Sequence, residues 1–243
     1  MFRHKSTEPH SAELDHLVHL GVSFDDLDPH LRNTLREYLW RRQDGRCAYC
    51  ECSLRLDQAT RLEHFHPRSL PQVSDARCKR ELGTAKTVNA EFYLNNLLLC
   101  CMGHEGEVVD EKSSREVLTC DARKGDAHIC ARFHNPATNA YPSLVDVDPS
   151  GRLSAVHFPS EYAEAQAVID DTLNLNNDFL VQVRRKLYAG LLQRATYLVR
   201  SPKNQYKKNH DAWQTLAGQL RAKAETQLYA SVYLSVANHL AEK

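Results

Sequence analysis

RCAYCE at residues 46–51, RLEHFHPRS at 61–69, NNLLLCC at 95–101 and TCDARKG at 119–125 are the segments that decide the fold. The C-x2-C pair of the first segment can bring two thiolates to one ion from a tight turn. One cysteine from each of the last two segments can complete the tetrahedral four-cysteine set that zinc prefers. We therefore predict a structural zinc site with the ligands Cys47, Cys50, Cys101 and Cys120.

The cysteine content favours metal binding over disulfides. The chain has eight cysteines in 243 residues and lacks the N-terminal pattern of a secretion signal, and thiols stay reduced in the cytoplasm. No apolar stretch reaches about 18 residues, the length that indicates a membrane-spanning helix. We expect a cytoplasmic protein in which Cys52, Cys78 and Cys130 are not ligands.

The formal net charge is zero, but the charge is unevenly distributed. Residues 179–223 contain ten basic residues and one acidic residue, Asp211. A nucleic acid would therefore meet the C-terminal helices and basic residues near the site. A solvated helix face explains the same pattern equally well. The ten residues are Arg184, Arg185, Lys186, Arg194, Arg200, Lys203, Lys207, Lys208, Arg221 and Lys223.

The first half of the chain predicts a helix followed by short strands and long loops. Asp28 and Pro29 are typical of a helix start, and this helix would run to Arg42. Short strands are expected within 59–65 and 91–99, and residues 70–90 and 102–119 are expected to be loops.

The second half predicts a hairpin and helices, which makes the whole chain α+β. The hairpin covers 144–157, and three helices follow over 161–173, from Asp178 to Pro202, and over about 211–240. Ser160 is the expected cap of the first helix. The predicted division is a flexible N-terminal arm at 1–27, a zinc-stabilised domain at 28–145, and a hairpin with a helical C-terminal region at 146–243.

Glu63 and His64 lie between the two halves of the cysteine set and suit phosphodiester hydrolysis. A histidine with an unperturbed pKa near ~6.5 is a suitable general base, and a carboxylate is a hard ligand for Mg2+ or Mn2+. Adjacent strand residues point to opposite faces, so both can serve one site only where the strand bends or ends, as Pro67 would cause. Asp121, at the start of a helix after Cys120, is the second expected metal ligand.

Three residues are expected to contact phosphate groups. Lys124 lies one turn beyond Asp121, and Arg68 is a basic residue of the same motif as His64. His66 is expected to contact phosphate or a metal ion, although a core histidine beside Pro67 is an equally good interpretation.

The order of these residues resembles that of the HNH endonucleases, also called ββα-metal or His-Me finger nucleases. In that family a hairpin ends in the histidine base, a helix carries the last metal ligand, and an asparagine between them braces the loop. The resemblance makes His64 the base, Glu63 the acidic ligand, Asn96 the bracing residue and Asp121 the last ligand, where the family usually has His or Asn. It implies a small ββα-metal core at 28–145, with structural Zn2+ and catalytic Mg2+ or Mn2+, between an N-terminal helix and the helical C-terminal region.

The sequence is more closely similar to the HNH proteins of Septu-type (PtuB-like) and retron-associated anti-phage systems. The shared patterns C-A-Y-C-E, E-H-F-x-P-x-S, N-L-L-x-x-C and C-x-x-x-K-G lie at 47–51, 63–69, 96–101 and 120–125. The relatives usually have one cysteine where this chain has Cys100 and Cys101. The pattern's register selects Cys101, while Cys100 and His104 stay open as alternative ligands.

This closer resemblance implies an endonuclease of anti-phage defence that cuts nucleic acid, with DNA favoured over RNA. It also implies an ABC-type ATPase (PtuA-like) partner and, in retron systems, a reverse transcriptase with its RNA. The chain has no G-x-x-x-x-G-K motif, so ATP hydrolysis would have to come from another subunit.

Two other interpretations stay open. A catalytically silent zinc module would bind nucleic acid or a partner and would not depend on His64. A nuclease of the restriction or homing type would cut DNA without an ATPase. A zinc ribbon alone does not need the Glu63-His64 pair between its halves, which favours an enzyme.

Overall fold

The computed structural model describes residues 23–57, 60–103, 114–138, 144–200 and 209–242. Residues 1–22 of the expected arm, His104, and the basic residues Lys203, Lys207 and Lys208 lie outside these ranges. The fold is α+β, as predicted, with short antiparallel strand pairs and helices of up to 23 residues. No helix in the described part of the chain is long and apolar enough to cross a membrane.

The regular elements follow one another along the chain, with 3-10 turns at Phe24–Asp26, Leu94–Asn96 and Ser160–Tyr162. They are α1 (Pro29–Arg42), β1 (Arg61–His64), β2 (Gln72–Val73), α2 (Ala76–Leu82), β3 (Val88–Asn89), β4 (Leu97–Cys100), α3 (Ser114–Val117), α4 (Cys120–Lys124), β5 (Asp146–Val147), β6 (Leu153–Ser154), α5 (Ala165–Ala167), a π-helical segment (Val168–Thr172), α6 (Asp178–Arg200), α7 (Asn209–Ala224) and α8 (Ala230–Ala241).

Helix α1 begins and ends where the sequence predicts. Asp28 Oδ1 accepts a hydrogen bond from the backbone N–H of His30 at 2.7 Å, and Pro29 occupies the first turn. Leu35 and Leu39 are fully buried in the core, and α1 packs against β4.

Residues 23–27, which we assign from the sequence to a flexible arm, are packed instead. Phe24 is buried, its ring meets the His64 ring edge-on at 4.6 Å, and its backbone N–H donates to Glu91 Oε1 at 2.5 Å. The arm assignment does not hold for this segment, because the apolar side chains of Phe24 and Leu27 are both buried in the core.

Strands β1 and β4 form the antiparallel pair on which the site is built. Their register places Glu63 opposite Leu98 and His64 opposite Leu97. All four residues of β4 are buried, so β4 fixes β1 in the core. The strand predicted within 59–65 is confirmed as β1. Of the strand predicted within 91–99, only the last residues are extended, as the start of β4, because the 3-10 turn at Leu94–Asn96 precedes them.

Residues 70–90, predicted to be a loop, contain a two-stranded pair and a helix. β2 pairs with β3, and α2 lies between them in the chain. Asp75 Oδ1 caps α2 by accepting from the backbone N–H groups of Arg77 and Cys78 at 2.8 and 3.1 Å. Gly83 ends the helix with a φ of 67°. The prediction failed because these elements are too short for hydrophobic periodicity to reveal them.

The hairpin and the first part of the helical region largely follow the prediction. β5 pairs with β6 across the turn at 148–151, and α6 begins at Asp178 as expected. The helix predicted over 161–173 is instead divided into a 3-10 turn, α5 and the π-helical segment. Ser160 is the first residue of the 3-10 turn, and Pro159 and Glu164 hold the cap positions of that turn and of α5, so the predicted capping role of Ser160 is wrong.

The single helix predicted over 211–240 is two helices, α7 and α8. They pack antiparallel, since Gln214 bonds the carbonyl of Ala241 at 2.8 Å and Arg221 bonds Asn238 at 3.2 Å. The chain reverses at Tyr229, whose φ is 53°. The Arg46 guanidinium holds the turn by donating to the carbonyls of Gln227 at 2.9 Å and Glu225 at 3.3 Å. The contact with Arg46, which is 181 residues from Gln227 and 179 from Glu225, stabilises this turn. No Gly or Pro at the turn indicated in the sequence that the helix would be interrupted there.

Candidate metal centres and cleft

The four cysteines predicted as zinc ligands lie together. Their sulfur atoms are within 4.8 Å of one another, and the Cys47–Cys120, Cys50–Cys101 and Cys101–Cys120 separations are 3.9, 3.8 and 3.8 Å. A tetrahedral zinc with bonds of about 2.3 Å separates its sulfur ligands by about 3.8 Å. The group could hold a metal ion and suits zinc, and Cys101 rather than Cys100 belongs to it.

Backbone geometry brings the two halves of this group together. The Cys47 turn is closed by the hydrogen bond from Cys47 N to Cys52 O at 2.9 Å, and Cys101 N donates to Cys47 Sγ at 3.4 Å. Gly103, with a φ of 58°, approaches the segment before Cys120 so closely that a Cβ would lie 2.2 Å from the Thr119 carbonyl. Glycine at 103 is therefore required for the cysteines to meet.

Glu63, His64 and Asp121, predicted as site residues, line one open cleft of about 570 Å3. β1 supplies the first two residues, and the first turn of α4 supplies the third. β1 ends at His64, which is why two adjacent strand residues can face the same cleft. The other lining residues are Arg61, Leu62, Pro67, Arg68, Ser69, Gly125 and Asp126.

His64 is buried at the edge of the cleft with its ring orientation fixed. Its Nε2 lies 2.9 Å from the Glu91 carbonyl oxygen. A carbonyl oxygen only accepts, so Nε2 carries the hydrogen and Nδ1 has the free lone pair. Burial lowers the pKa of His64 to about 4 against the opposing hydrogen bond to Glu91. The imidazole is therefore neutral near pH 7 and can accept a proton at Nδ1.

Glu63 and Asp121 form a buried carboxyl pair. Burial raises the pKa of Glu63 well above its ordinary value, with Lys124 opposing the shift and the neighbouring Asp121 adding to it. Burial would also raise the pKa of Asp121, but hydrogen bonds from Glu63 and Arg61 lower it. Two carboxyl groups in contact favour either one shared proton or a bound cation.

Three further side chains hold this carboxyl pair. Lys124 Nζ lies 2.9 Å from Glu63 Oε1, and the Tyr49 hydroxyl donates to the same oxygen at 3.0 Å. Arg61 Nε lies 2.6 Å from Asp121 Oδ2. We did not predict Arg61 or Tyr49 from the sequence. The signal for Arg61 was its position two residues before Glu63 on one strand, which places both on the same face.

Asn96 connects the segments on either side of the cleft. Its Oδ1 accepts from the backbone N–H of His66 at 2.6 Å, and its Nδ2 donates to the carbonyls of His66 at 2.9 Å and Ala90 at 2.7 Å. The side chain is fully buried. Asn96 thus fixes the loop that follows His64. The family resemblance places a bracing asparagine at this same residue.

The three residues expected to contact phosphate differ in their exposure. His66 is only 3% exposed and does not line the cleft, and Lys124 is buried with its Nζ bonded to Glu63 and the His64 carbonyl. Both side chains are turned to other partners in this structure, and their contacts with phosphate stay predictions. Arg68 lines the cleft, half-exposed, and its pairing with Asp25 at 2.9 Å leaves its phosphate contact a prediction. Arg184, from the basic segment, is buried and bonds the carbonyl of Gly151 at 2.8 Å.

Two cysteines expected not to be ligands lie beside histidines. Cys78 and Cys130 meet His66 and His128, and one ligand atom from each of the four lies within 4.8 Å of the others. The sequence signal for this second group was the His-Ile-Cys string at 128–130. We did not interpret it as a metal-binding motif because it lacks the familiar C-x2-C spacing. Cys52, the third cysteine in that expectation, belongs to neither group.

In comparisons with known proteins, no family model, curated protein or solved structure matches the chain.

Proposed function

We propose that this protein is a metal-dependent endonuclease of the HNH type, with the cleft at His64 as its active site. The observation that carries the proposal is the convergence of one neutral histidine and two carboxyl groups, from β1 and α4, on one open cleft. In this proposal β1, β4 and α4 form the ββα-metal core that the sequence resemblance implies.

His64 is the proposed general base. Its Nε2–H is held by the Glu91 carbonyl, so Nδ1 is left to take a proton from a water molecule that attacks phosphorus. The buried ring stays neutral at the pH of the cytoplasm and needs no prior deprotonation. Asn96 and the Phe24 ring keep the imidazole and its loop in place.

Glu63 and Asp121 are the proposed ligands of a catalytic Mg2+ or Mn2+ ion. They fit such an ion because they are buried, adjacent carboxyl groups at the wall of a cleft. A divalent cation bound there would neutralise charge on the phosphate and on the departing oxygen. Tyr49 and Lys124 orient Glu63 through Oε1, and Arg61 orients Asp121 through Oδ2.

The proposed setting is anti-phage defence, with DNA as the expected substrate and an ABC-type ATPase as the partner. This part of the proposal is supported by the sequence resemblance, which also includes a retron reverse transcriptase among the candidate partners. α6 carries exposed basic residues at Arg185, Lys186, Arg194 and Arg200, which suit contact with nucleic acid or with an acidic partner surface.

The test is a cleavage assay of the purified full chain on plasmid DNA and on structured RNA, with Mg2+, with Mn2+ and with EDTA. His64→Gln is the informative variant because glutamine can keep the hydrogen bond to Glu91 yet offers no basic nitrogen. We expect metal-dependent cleavage by wild type and a loss of at least about 100-fold in the variant. His30→Ala is the matched control, since His30 is an exposed histidine on α1.

The outcomes separate the candidate functions. Cleavage that starts only when the ATPase is added supports the multi-subunit form of the proposal. Equal cleavage by wild type and His64→Gln would contradict the assigned base. Absence of cleavage under every condition, with zinc bound and the fold intact, would contradict the nuclease and favour a silent zinc module.

A further inference from the structure

A second group of cysteine and histidine side chains lies outside the four-cysteine group. Cys78 Sγ is 3.1 Å from His128 Nε2, and Cys130 Sγ is 3.3 Å from His66 Nδ1. His66, Cys78 and Cys130 are buried, and His128 is half-buried. None of these four residues lines the cleft at His64.

We propose that His66, Cys78, His128 and Cys130 form a second structural zinc site. Two thiolates and two imidazoles are a donor set that zinc binds in tetrahedral geometry. Such a zinc, with bonds of about 2.3 Å to sulfur and about 2.0 Å to nitrogen, separates the two atom types by about 3.5 Å. The observed separations would have to widen by only a few tenths of an ångström, which side-chain rotation supplies.

The orientation of His66 is that of a metal ligand. Its Nε2 lies 2.9 Å from the Leu70 carbonyl oxygen, which can only accept, so Nε2 carries the hydrogen and Nδ1 presents its lone pair toward Cys130. A metal-bound histidine characteristically donates its other ring N–H to a carbonyl or carboxylate in this way. Asn96 also holds the His66 backbone on both sides, so this ligand is positioned before any ion binds.

The four ligands come from three separate parts of the chain. His66 lies in the loop that leaves β1, Cys78 lies in the first turn of α2, and His128 and Cys130 follow α4. α2 has seven residues and the adjoining strands have two each, so these elements bury little apolar surface of their own. Small elements of this kind commonly need a metal or a disulfide to stay in place. A zinc ion would fasten α2 to the loop that leaves His64, whether or not the protein is a nuclease.

Zinc content and X-ray absorption of the wild-type chain test the proposal without any mutation. The protein would be purified from zinc-supplemented cells without chelators, and zinc would be measured by mass spectrometry of the digested sample. We expect two zinc ions per chain, with six sulfur and two nitrogen ligands shared between them. One zinc per chain with sulfur ligands alone would overturn the proposal.

Variants then assign the second ion to these residues. Cys78→Ser combined with Cys130→Ser is expected to lower the zinc content from two to one and to leave an all-sulfur coordination spectrum. Cys52→Ser, which removes a cysteine outside both groups, is the control and should keep two ions. A double variant that still holds two zinc ions would overturn the assignment. If the double variant does not fold, the wild-type absorption spectrum decides the question.

Discussion

Glu81 is a buried carboxylate whose partners are far from it in the sequence. It accepts hydrogen bonds from the Tyr162 hydroxyl, from His134 Nδ1 at 3.1 Å and from the Asn135 backbone N–H at 2.7 Å. Burial alone would raise the pKa of Glu81, but these hydrogen bonds outweigh burial and hold the pKa below its ordinary value. The ionised form therefore stabilises the fold.

Glu81→Gln is expected to lower the free energy of unfolding near neutral pH by about 2 kcal/mol, because the charged acceptor is lost. A depressed folded-state pKa contributes stability that is complete above the unfolded-state value of about 4.3 and disappears as the pH falls through the lower folded-state value. Urea unfolding should therefore show the wild type losing its advantage over the variant below about pH 4.3. Glu37→Gln, at an exposed position on α1, is the control. An advantage that persists undiminished in acid would contradict this account of Glu81.

Lys124 is a second residue whose role is set by burial. Its side chain is 1% exposed, and its Nζ reaches Glu63 at 2.9 Å. Lys124→Met keeps most of the side-chain volume but leaves the Glu63 carboxyl without its cation, which should cost about 3 kcal/mol in thermal or urea unfolding. Glu63→Gln combined with Lys124→Met removes both partners of the pair and should be less destabilised than Lys124→Met alone. Equal destabilisation of the two variants would show that packing, and not the ion pair, is what Lys124 supplies.

At the scale of elements, the sequence predicted structure where a cap or turn signal adjoined an apolar pattern long enough to recognise. α1 has its cap and its first-turn proline, and the β5–β6 hairpin has a four-residue turn between apolar runs, so both could be predicted. The four-cysteine group could be predicted from the C-x2-C spacing together with the register of the family pattern, which selected Cys101 over Cys100. Elements positioned by distant contacts could not, as the reversal at Tyr229 and the meeting of Cys78 with His128 show. For the same reason the burial of Lys124 was missed, and the burial of His66 was only one of two interpretations.

The turn between α7 and α8 offers a test of one such distant contact. The Ser231 hydroxyl and backbone N–H both donate to the buried Glu51 carboxylate, which lies directly after the Cys47–Cys50 turn. Ser231→Ala removes one donor from a buried charge and should cost about 1–2 kcal/mol. Hydrogen exchange should quicken at 226–232 and stay unchanged in the middle of α6. Ser160→Ala is the matched control and should be neutral, whereas a capping role would cost about 1 kcal/mol.

At the scale of the whole molecule, the described residues divide into a part with short elements and a part with long helices. Residues 46–130 contain strands of two to four residues and helices of four to seven, held around the cysteine-containing groups. α6, α7 and α8 span 12 to 23 residues and pack mainly against one another. We therefore expect the first part to depend on a bound metal more than the second does.

Removal of zinc should accordingly unfold the molecule unevenly. After incubation with a strong chelator, hydrogen exchange should lose protection across 46–130, because the strand pairs bury too little apolar surface without the ion. The α6–α8 helices should keep most of their protection, while the α7–α8 turn should loosen because Arg46 and Glu51 no longer hold it. Returning Zn2+ should restore protection, and Mg2+ should not, since thiolate ligands favour zinc. Loss of protection in all helices at once would mean that Arg46 and Glu51 couple the two parts into one cooperative unit. No loss anywhere would mean that packing alone stabilises the cysteine-rich part.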